Sequence, residues 1–346
     1  MLKVGIVGIG LAAKHFHIPI LKALDSKFRI TAVYSSQPHE NIKQLIGPVE
    51  VFNDFLKFCE SAHVDLAVLA TPSQLHYLMA KQLLEAGIHT IVDKPVANNV
   101  LETSHLYQLA KVNHVILSVF HNRRWDSDFL TVKNLLESKK LGELTYFESR
   151  FDKYRPMLSH RWREQDLACS GILYDIGPHL IDQAIVLFGL PLYVQASIQI
   201  QRVDAKVDDY FSITLKYPSL DVLLRSSSLA AKTPFRFYLE GSAGSFIKHE
   251  MDVQESFLAE NIIPTRSIDW PKESWDLYGT FYAENIVERV ISVDGDYREY
   301  YKHIYDVILN GASPVITQQN VKSVMQIIEL AQQSSETKSI IAFGSS

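Results

Sequence analysis

A lysine, a carboxylate and an imidazole stand in stretches of this sequence that are otherwise largely apolar. Asp175 and His179 lie four residues apart in CSGILYDIGPHLIDQAI, residues 169–185. On a helix that spacing puts both side chains on one face, one turn apart. An imidazole titrates near neutrality, so His179 can take or give a proton at physiological pH. A carboxylate one turn earlier can orient it, or hold the same hydroxyls of a substrate. The pair equally suits a helix-internal ion pair or a satisfied core histidine. Ile176, Leu180, Ile181 and Ile185 read as the core positions of that helix, so the polar pair has a face of its own. Lys94 is the third candidate, in Val92-Asp93-Lys94-Pro95 at the end of a strand. Ligands of open α/β sheets bind beyond the carboxyl ends of the strands. A lysine there can orient a hydroxyl and exchange a proton with it; the alternative is a solvated surface lysine.

A second pattern suits an anion. Gly8-Ile9-Gly10-Leu11-Ala12-Ala13 follows an apolar, β-branched run and opens a helical pattern. In such a G-x-G-x-x-A turn, Gly8 permits the tight bend, Gly10 lets the backbone approach a pyrophosphate, and Ala13 lets helix and strand pack closely. The helix N-terminus adds unpaired N–H groups and partial positive charge. The alternative is a packing turn, and the strand-turn-helix context favours the nucleotide. The next strand ends in Tyr34-Ser35-Ser36-Gln37-Pro38-His39, with no acid until Glu40. An acid there bonds the ribose 2′-hydroxyl of NAD and would repel a 2′-phosphate. The hydroxyls of Ser35 and Ser36 can donate to one, which favours NADP over NAD. Both serines also suit a role as loop caps.

Strands and helices alternate over the first third of the chain. KVGIVGIG, FRITAVYS, DLAVLATP, HTIVDKP and VILSVFH are five almost wholly apolar strands with helical stretches between them. SQLHYLMAKQLLEAG starts at a serine cap and stops at Gly87. This pattern predicts a parallel sheet covered on both faces. After about residue 121 the pattern changes. A helix over DSDFLTVKNLLESKKLG leads to the alternating strand ELTYFESRFD and then to the Asp175 helix. LYVQASIQIQR, DYFSITLKYP, DVLLRSSSLA and FRFYLEGSAGSFIKH follow as an antiparallel meander, and two helices close the chain. The prediction is an α/β fold. An N-terminal Rossmann dinucleotide-binding domain covers residues 1–121, and a C-terminal α+β domain with an open, mostly antiparallel sheet covers residues 122–346. Alternation at Phe211, Ile213 and Leu215 leaves one sheet face in need of cover, which predicts a homo-oligomer.

Composition narrows the partners. A length of 346 residues suits two domains better than one core. The net charge is -5 with the signs mixed, which excludes a basic nucleic-acid surface and a polybasic membrane patch. Two cysteines, Cys59 and Cys169, cannot build a disulfide framework. That fits a reducing compartment. MLKVGIVGIG is too short and glycine-rich for a signal peptide, and polar residues break every apolar run before membrane-spanning length. A soluble, cytoplasmic protein is expected. His15 and His17 point in different directions on a helix, without a Cys, His or Glu cluster, so no metal site is expected. No G-x-S-x-G elbow supports a serine hydrolase.

Several motifs occur together in one order. Gly8-x-Gly10-x-x-Ala13 is followed by Ala70-Thr71-Pro72-x-x-x-His76, Ala86-Gly87-x-His89, Asp93-Lys94-Pro95 and Asp175-x-Gly177-x-His179. With them the chain resembles, over essentially its whole length, the glucose–fructose oxidoreductase, inositol dehydrogenase and rhizopine-catabolism (Gfo/Idh/MocA) family of NAD(P)-dependent oxidoreductases. LSVFHNRRWDSDFLT and RWREQ look like the branch that contains NADP-dependent scyllo-inositol dehydrogenases. The resemblance implies hydride transfer between C4 of a nicotinamide and a carbinol carbon of a cyclic polyol or sugar. It implies Lys94, Asp175 and His179 as the catalytic set, with His179 as proton acceptor and the other two holding the hydroxyls. It places residues Gly8 to Ala13, Ser35, Ser36, Thr71, Pro72, His76, Asp93 and Lys94 along the cofactor. Trp162 and Arg163 would reach the cofactor from the second domain. Asn122, Arg123 and Arg124 would face the substrate cleft, a surface ion pair being the alternative for either arginine.

Two departures from the family pattern stand out. Asp93 occupies a position where most of the family has Glu, and the glycine cluster before the Asp175 helix is reduced to Cys169-Ser170-Gly171. The family's second domain often serves oligomerisation, so a homodimer or homotetramer is expected. Some members bind dinucleotide without turnover, and a non-catalytic dinucleotide sensor is therefore the rival function. A sensor needs no proton relay, and the Lys94, Asp175 and His179 set argues against it.

Overall fold

The structure is a computed structural model and describes every residue except 160, 264, 266–269, 271, 345 and 346. Strands β1 (Leu2–Val7), β2 (Phe28–Tyr34), β3 (Glu50–Phe52), β4 (Leu66–Leu69), β5 (His89–Val92) and β6 (Leu117–Val119) come first. Helices α1 (Ile18–Ala23), α2 (His39–Ile46), α3 (Phe55–Ser61), α4 (His76–Glu85) and α5 (Val100–Val112) alternate with them. The six strands pair in parallel in the order β3-β2-β1-β4-β5-β6. Every residue of β4 is buried, as a parallel sheet covered on both faces requires. The order reverses between β1 and β4, the place where such sheets bind ligands.

Three local features differ from the sequence reading. β3 has only three residues, none of them buried, and offers no alternation to read. The helix after the glycine turn holds a π-helical stretch, Ala13–His17, before α1. Ser73 caps no helix; it is buried in a 3₁₀ turn, Ser73–Leu75, whose N-cap is Pro72.

Next come α6 (Ser127–Glu137), β7 (Leu144–Arg150), α7 (Gly171–Phe188), β8 (Tyr193–Gln199), β9 (Tyr210–Lys216), β10 (Asp221–Ser227), β11 (Phe237–Gly241) and β12 (Gly244–Lys248). The chain closes with α8 (Gln254–Ala259), β13 (Gly279–Ala283), β14 (Ile286–Val290), α9 (Arg298–Asn310), α10 (Gln318–Thr337) and β15 (Ile341–Ala342). The nine later strands form one sheet, ordered β14-β13-β12-β11-β7-β10-β9-β8-β15. All its pairings are antiparallel except β7 with β10. β13, β14 and β15 were not expected; β14 is exposed along nearly its whole length and carries no buried face to betray it. Phe211, Ile213 and Leu215 are fully buried, and α7 packs on β9 and β10. The face they form is thus covered by the chain's own helix and needs no second copy.

Packing divides the chain into two units. One comprises Met1–Asn122, Gln254–Pro271 and Asp296–Val321; the other comprises Arg123–Val253, Lys272–Gly295 and Lys322–Ser346. The first break falls where the sequence changes pattern. Residues 254–271 and 296–321, expected in the second domain, pack with the first unit instead. The reason is aromatic. Tyr297, Tyr300 and Tyr301 are fully buried, and Tyr300 and Tyr301 meet Phe120 at ring distances of 4.9 and 6.0 Å. No helix among the described residues is long and apolar enough to cross a membrane.

His17 belongs to this layer. It is fully buried, its ring lies 4.3 Å from Phe120, and its Nδ1 is 2.7 Å from the Tyr301 hydroxyl. Burial lowers its pKa from 6.5 to about 4, while the Asp93 carboxylate pulls the other way. The folded chain therefore keeps the ring neutral where the unfolded chain would already hold a proton, so stability rises with pH across that window. At roughly 1.4 kcal/mol per pH unit, the neutral ring is worth about 3 kcal/mol above the window. That stability is lost as the pH falls from 6.5 to about 4. Denaturant unfolding should show the first unit weakening between pH 7 and pH 5, with a flatter loss in His17→Gln. Equal losses in the two proteins would refute this role.

Candidate nucleotide-binding and proton-transfer sites

In the first unit, the glycine turn leaves β1 at the reversal point of the sheet. Gly8 has φ +91°, and a Cβ on it would lie 2.9 Å from Thr71 Cγ2 and 3.0 Å from the Ala70 carbonyl oxygen. Only glycine meets both demands. A Cβ on Gly10 would make only an ordinary contact, 3.6 Å from the same oxygen. Its role is to leave the backbone bare for a close ligand. Ile9 and Ala13 are buried, and Leu11 is exposed.

The tip of β2 is fastened to this turn. The Gln37 side-chain amide donates to the Ile9 carbonyl at 2.8 Å. The Ser35 hydroxyl is buried and accepts the Gln37 backbone N–H at 3.1 Å, so Ser35 serves the loop itself. Ser36 is exposed. The turn therefore fits a dinucleotide: a collision-limited glycine, a bare backbone at Gly10, and no carboxylate in residues 34–39.

The loops after β4 and β5 are fastened together as well. His76 is buried, with Nε2 2.9 Å from the Thr71 carbonyl oxygen and Nδ1 2.7 Å from that of Pro95. His76 thus bridges the Thr71-Pro72 loop and the Lys94-Pro95 loop. Asp93 Oδ1 accepts the Lys94 N–H at 2.9 Å. Lys94 is only 9% exposed, so it is not a solvated surface lysine.

In the second unit, α7 carries both Asp175 and His179, and the sequence makes its start unusual. Gly171 has φ +87°, and a Cβ there would lie 2.1 Å from Asp208 Oδ1. Asp208 sits that close because it caps the helix: Oδ2 accepts the Leu173 N–H at 2.7 Å, and its carbonyl accepts the Ile172 N–H at 2.9 Å. Burial pushes the Asp208 carboxyl up to about 6, and the N–H bonds pull it back down.

One turn into α7, Asp175 is ion-paired with Arg163, whose Nε lies 3.1 Å from Oδ1. The Arg163 guanidinium lies 4.4 Å from the ring of its neighbour Trp162. Their 3₁₀ turn, Trp162–Glu164, is held by Arg202, which reaches Glu164 at 2.8 Å, the Arg155 carbonyl at 3.0 Å and Asp209 at 2.9 Å. His179 is buried, as are the apolar positions Ile176, Leu180, Ile181 and Ile185.

Asn122 is buried and begins a 3₁₀ turn, Asn122–Trp125. Arg123 and Arg124 are in buried ion pairs rather than surface ones. Arg123 pairs with Asp126 at 3.1 Å and lies over the Phe151 ring, and Arg124 pairs with Asp182 at 2.6 Å. Sequence reasoning missed Gln37, Asp208, Arg202 and Asp182. Residues 34–39 were read for acids and hydroxyls but not for the Gln37 amide, and the other three act on partners distant in sequence.

Comparison with known proteins fixes the family. Residues 2–121 match the NAD-binding Rossmann fold of an oxidoreductase family, and residues 133–343 match its C-terminal alpha/beta domain. The chain belongs to the Gfo/Idh/MocA oxidoreductases. It is 39% identical to the uncharacterized oxidoreductase YdgJ of Escherichia coli, over 98% of each chain. It is 35% identical to the scyllo-inositol 2-dehydrogenase (NADP(+)) IolW of Bacillus subtilis, over 98% of this chain and 95% of the relative. The solved structure of the oxidoreductase yvaA from Bacillus subtilis superposes with a TM-score of 0.93 at 34% identity, covering 99% of this chain and 98% of that one. As a Gfo/Idh/MocA oxidoreductase the protein takes a nicotinamide cofactor, and the glycine turn of its first unit is built for one.

The start of α7 is testable by itself. Gly171→Ala forces a left-handed residue onto a Cβ and drives that Cβ into Asp208. Backbone strain of this kind costs about 1–3 kcal/mol. A lowered melting temperature is expected, and an unchanged one would show that the Asp208 cap can move away freely.

Proposed function

We propose that this Gfo/Idh/MocA protein is an NADP-dependent dehydrogenase of a cyclic polyol or sugar of the inositol type. The observation that carries the reading is α7, where buried His179 stands one turn from an Asp175 ion-paired with Arg163. A protein that only senses dinucleotide has no use for a proton acceptor there. Likeness to IolW, by its name an NADP-dependent scyllo-inositol dehydrogenase, supports the substrate class. Bound NADP supplies the hydride acceptor, C4 of its nicotinamide.

The chain's own residues supply position and proton transfer. Backbone N–H groups of the glycine turn hold the pyrophosphate. Ser36 offers an exposed hydroxyl to the 2′-phosphate, and no carboxylate in residues 34–39 opposes it. His179 takes the hydroxyl proton as the carbinol is oxidised. Lys94 and Asp175 hold the hydroxyls, and Lys94 polarises the reacting one. Cys59 and Cys169 form no disulfide, which fits work in the reducing cytoplasm.

The second unit's sheet is assigned to self-association, as a homodimer or homotetramer. α7 covers one face, so the contact is placed on the other, where Leu223, Tyr238 and Ile247 are half-buried. These three align across the strands through Glu148.

Cyclic polyols and sugars screened with NADP and NAD test the activity. NADP(H) should bind more tightly than NAD(H); the reverse order would overturn the cofactor assignment. His179→Asn should keep its fold and its NADP(H) affinity while turnover falls roughly 10²–10⁴-fold, the usual value of a lost general base. The rise of oxidation rate with pH should vanish with it. A variant that melts earlier but turns over normally would make His179 structural. For the assembly, light scattering at micromolar concentration should give a mass of two or four chains, and a single-chain mass would overturn it.

A further inference from the structure

Helix α7 is weakened next to His179. Pro178 lies inside the helix, and it has no N–H to give to the carbonyl four residues earlier, on Tyr174. Gly177 precedes it and loosens the same turn further. The helical ladder alone does not fix how the half bearing Asp175 meets the half bearing His179.

Each half is tied down by its own partners. Before the proline, Asp208 holds the N–H groups of Ile172 and Leu173, and Arg163 holds Asp175. After it, the ties fall on Asp182 and Gln183, three and four residues beyond His179 and on its side of the helix. Arg124 grips Asp182 with two parallel bonds, Nε to Oδ2 at 2.7 Å and Nη2 to Oδ1 at 2.6 Å. The two side chains are only 8% and 2% exposed. Gln183 donates to the Arg123 carbonyl at 2.9 Å and accepts from Arg236 Nη2 at 2.8 Å. Arg236 is anchored in turn by Asp128 at 3.0 Å.

A buried, two-pronged arginine–carboxylate pair fixes direction as well as distance. Mere stability does not require one, because apolar residues of similar volume hold a buried contact as well or better. We propose that Arg124 and Asp182 are positioning residues that set the His179 imidazole relative to Asp175 across the proline break. The effect on catalysis rests on the reading of His179 as proton acceptor; the effect on the ring rests on α7 alone.

Histidine-selective ¹⁵N NMR of the full chain tests it, with His179 assigned by the resonances lost in His179→Asn. Arg124→Lys keeps the charge and loses the two-pronged grip. Arg124→Met/Asp182→Leu removes both charges at similar volume, so it should fold even where the lysine variant fails. In both, the His179 titration midpoint or its pattern of ring protonation should shift from wild type. Turnover of the polyol should fall about 10- to 100-fold, the scale of small misplacements in an active site, with KM for NADP unchanged. A folded double variant with wild-type His179 resonances across the titration overturns the proposal. So does one that melts earlier yet keeps wild-type turnover and pH profile. If the wild-type protein oxidises none of the polyols or sugars, the functional reading fails separately. The resonances still decide whether the pair sets the ring.

Discussion

Arg236 has its guanidinium wholly inside the second unit, and four elements are arranged around the need to satisfy it. A buried cation without partners would be prohibitive. Asp128 of α6 binds it at 3.0 Å, Ser149 and the Arg150 carbonyl of β7 accept from it, and Gln183 of α7 accepts at 2.8 Å. The strand that follows it, β11, contributes Phe237, whose ring lies 4.0 Å away. Burial lowers the Arg236 pKa, and the carboxylates of Asp128 and Asp126 offset only part of that fall. Helices α6 and α7 are thereby referenced to the same point on the sheet. The stripe on α7 that ends in Asp182 and Gln183 takes its orientation from that point.

The first unit solves a different problem. Its sheet is mostly apolar, and many of its difficult groups are backbone ones at the strand ends. There the chain uses short side chains and amides as ties: Gln37 to Ile9, His76 to the loops after β4 and β5, Asp93 to the N–H of Lys94. These bonds hold the four loops after β1, β2, β4 and β5 without occupying the bare backbone at Gly10. The pyrophosphate of a dinucleotide would meet a cradle whose shape is already set, so little ordering would remain to oppose its binding.

The sequence showed most clearly what is local. Five of the six parallel strands are largely apolar runs, and the spacing of Asp175 and His179 on one helix face follows from four residues of chain. Partners across the fold were not legible. Arg124 and Asp182 are 58 residues apart, and nothing in either neighbourhood names the other. The same holds for Asp208, 35 residues from the N–H it caps. Alternation at Phe211, Ile213 and Leu215 announced a face that must be covered, but not whether a helix or another chain covers it. β3 and β15 are too short, and β14 too exposed, for any periodicity to register.

The chain passes between its two units five times, and this has a consequence for biosynthesis. His17 finds its hydroxyl partner on Tyr301, 284 residues later. While the first 122 residues emerge, Phe28, Phe120 and His17 have no aromatic layer from α9 against them. The nucleotide-binding unit cannot close its core until residues 296–321 have left the ribosome. Contacts of such long range make for slow, late folding. The gene therefore cannot be cut into two consecutive halves that fold alone, and shuffling its domains would have to graft three segments together.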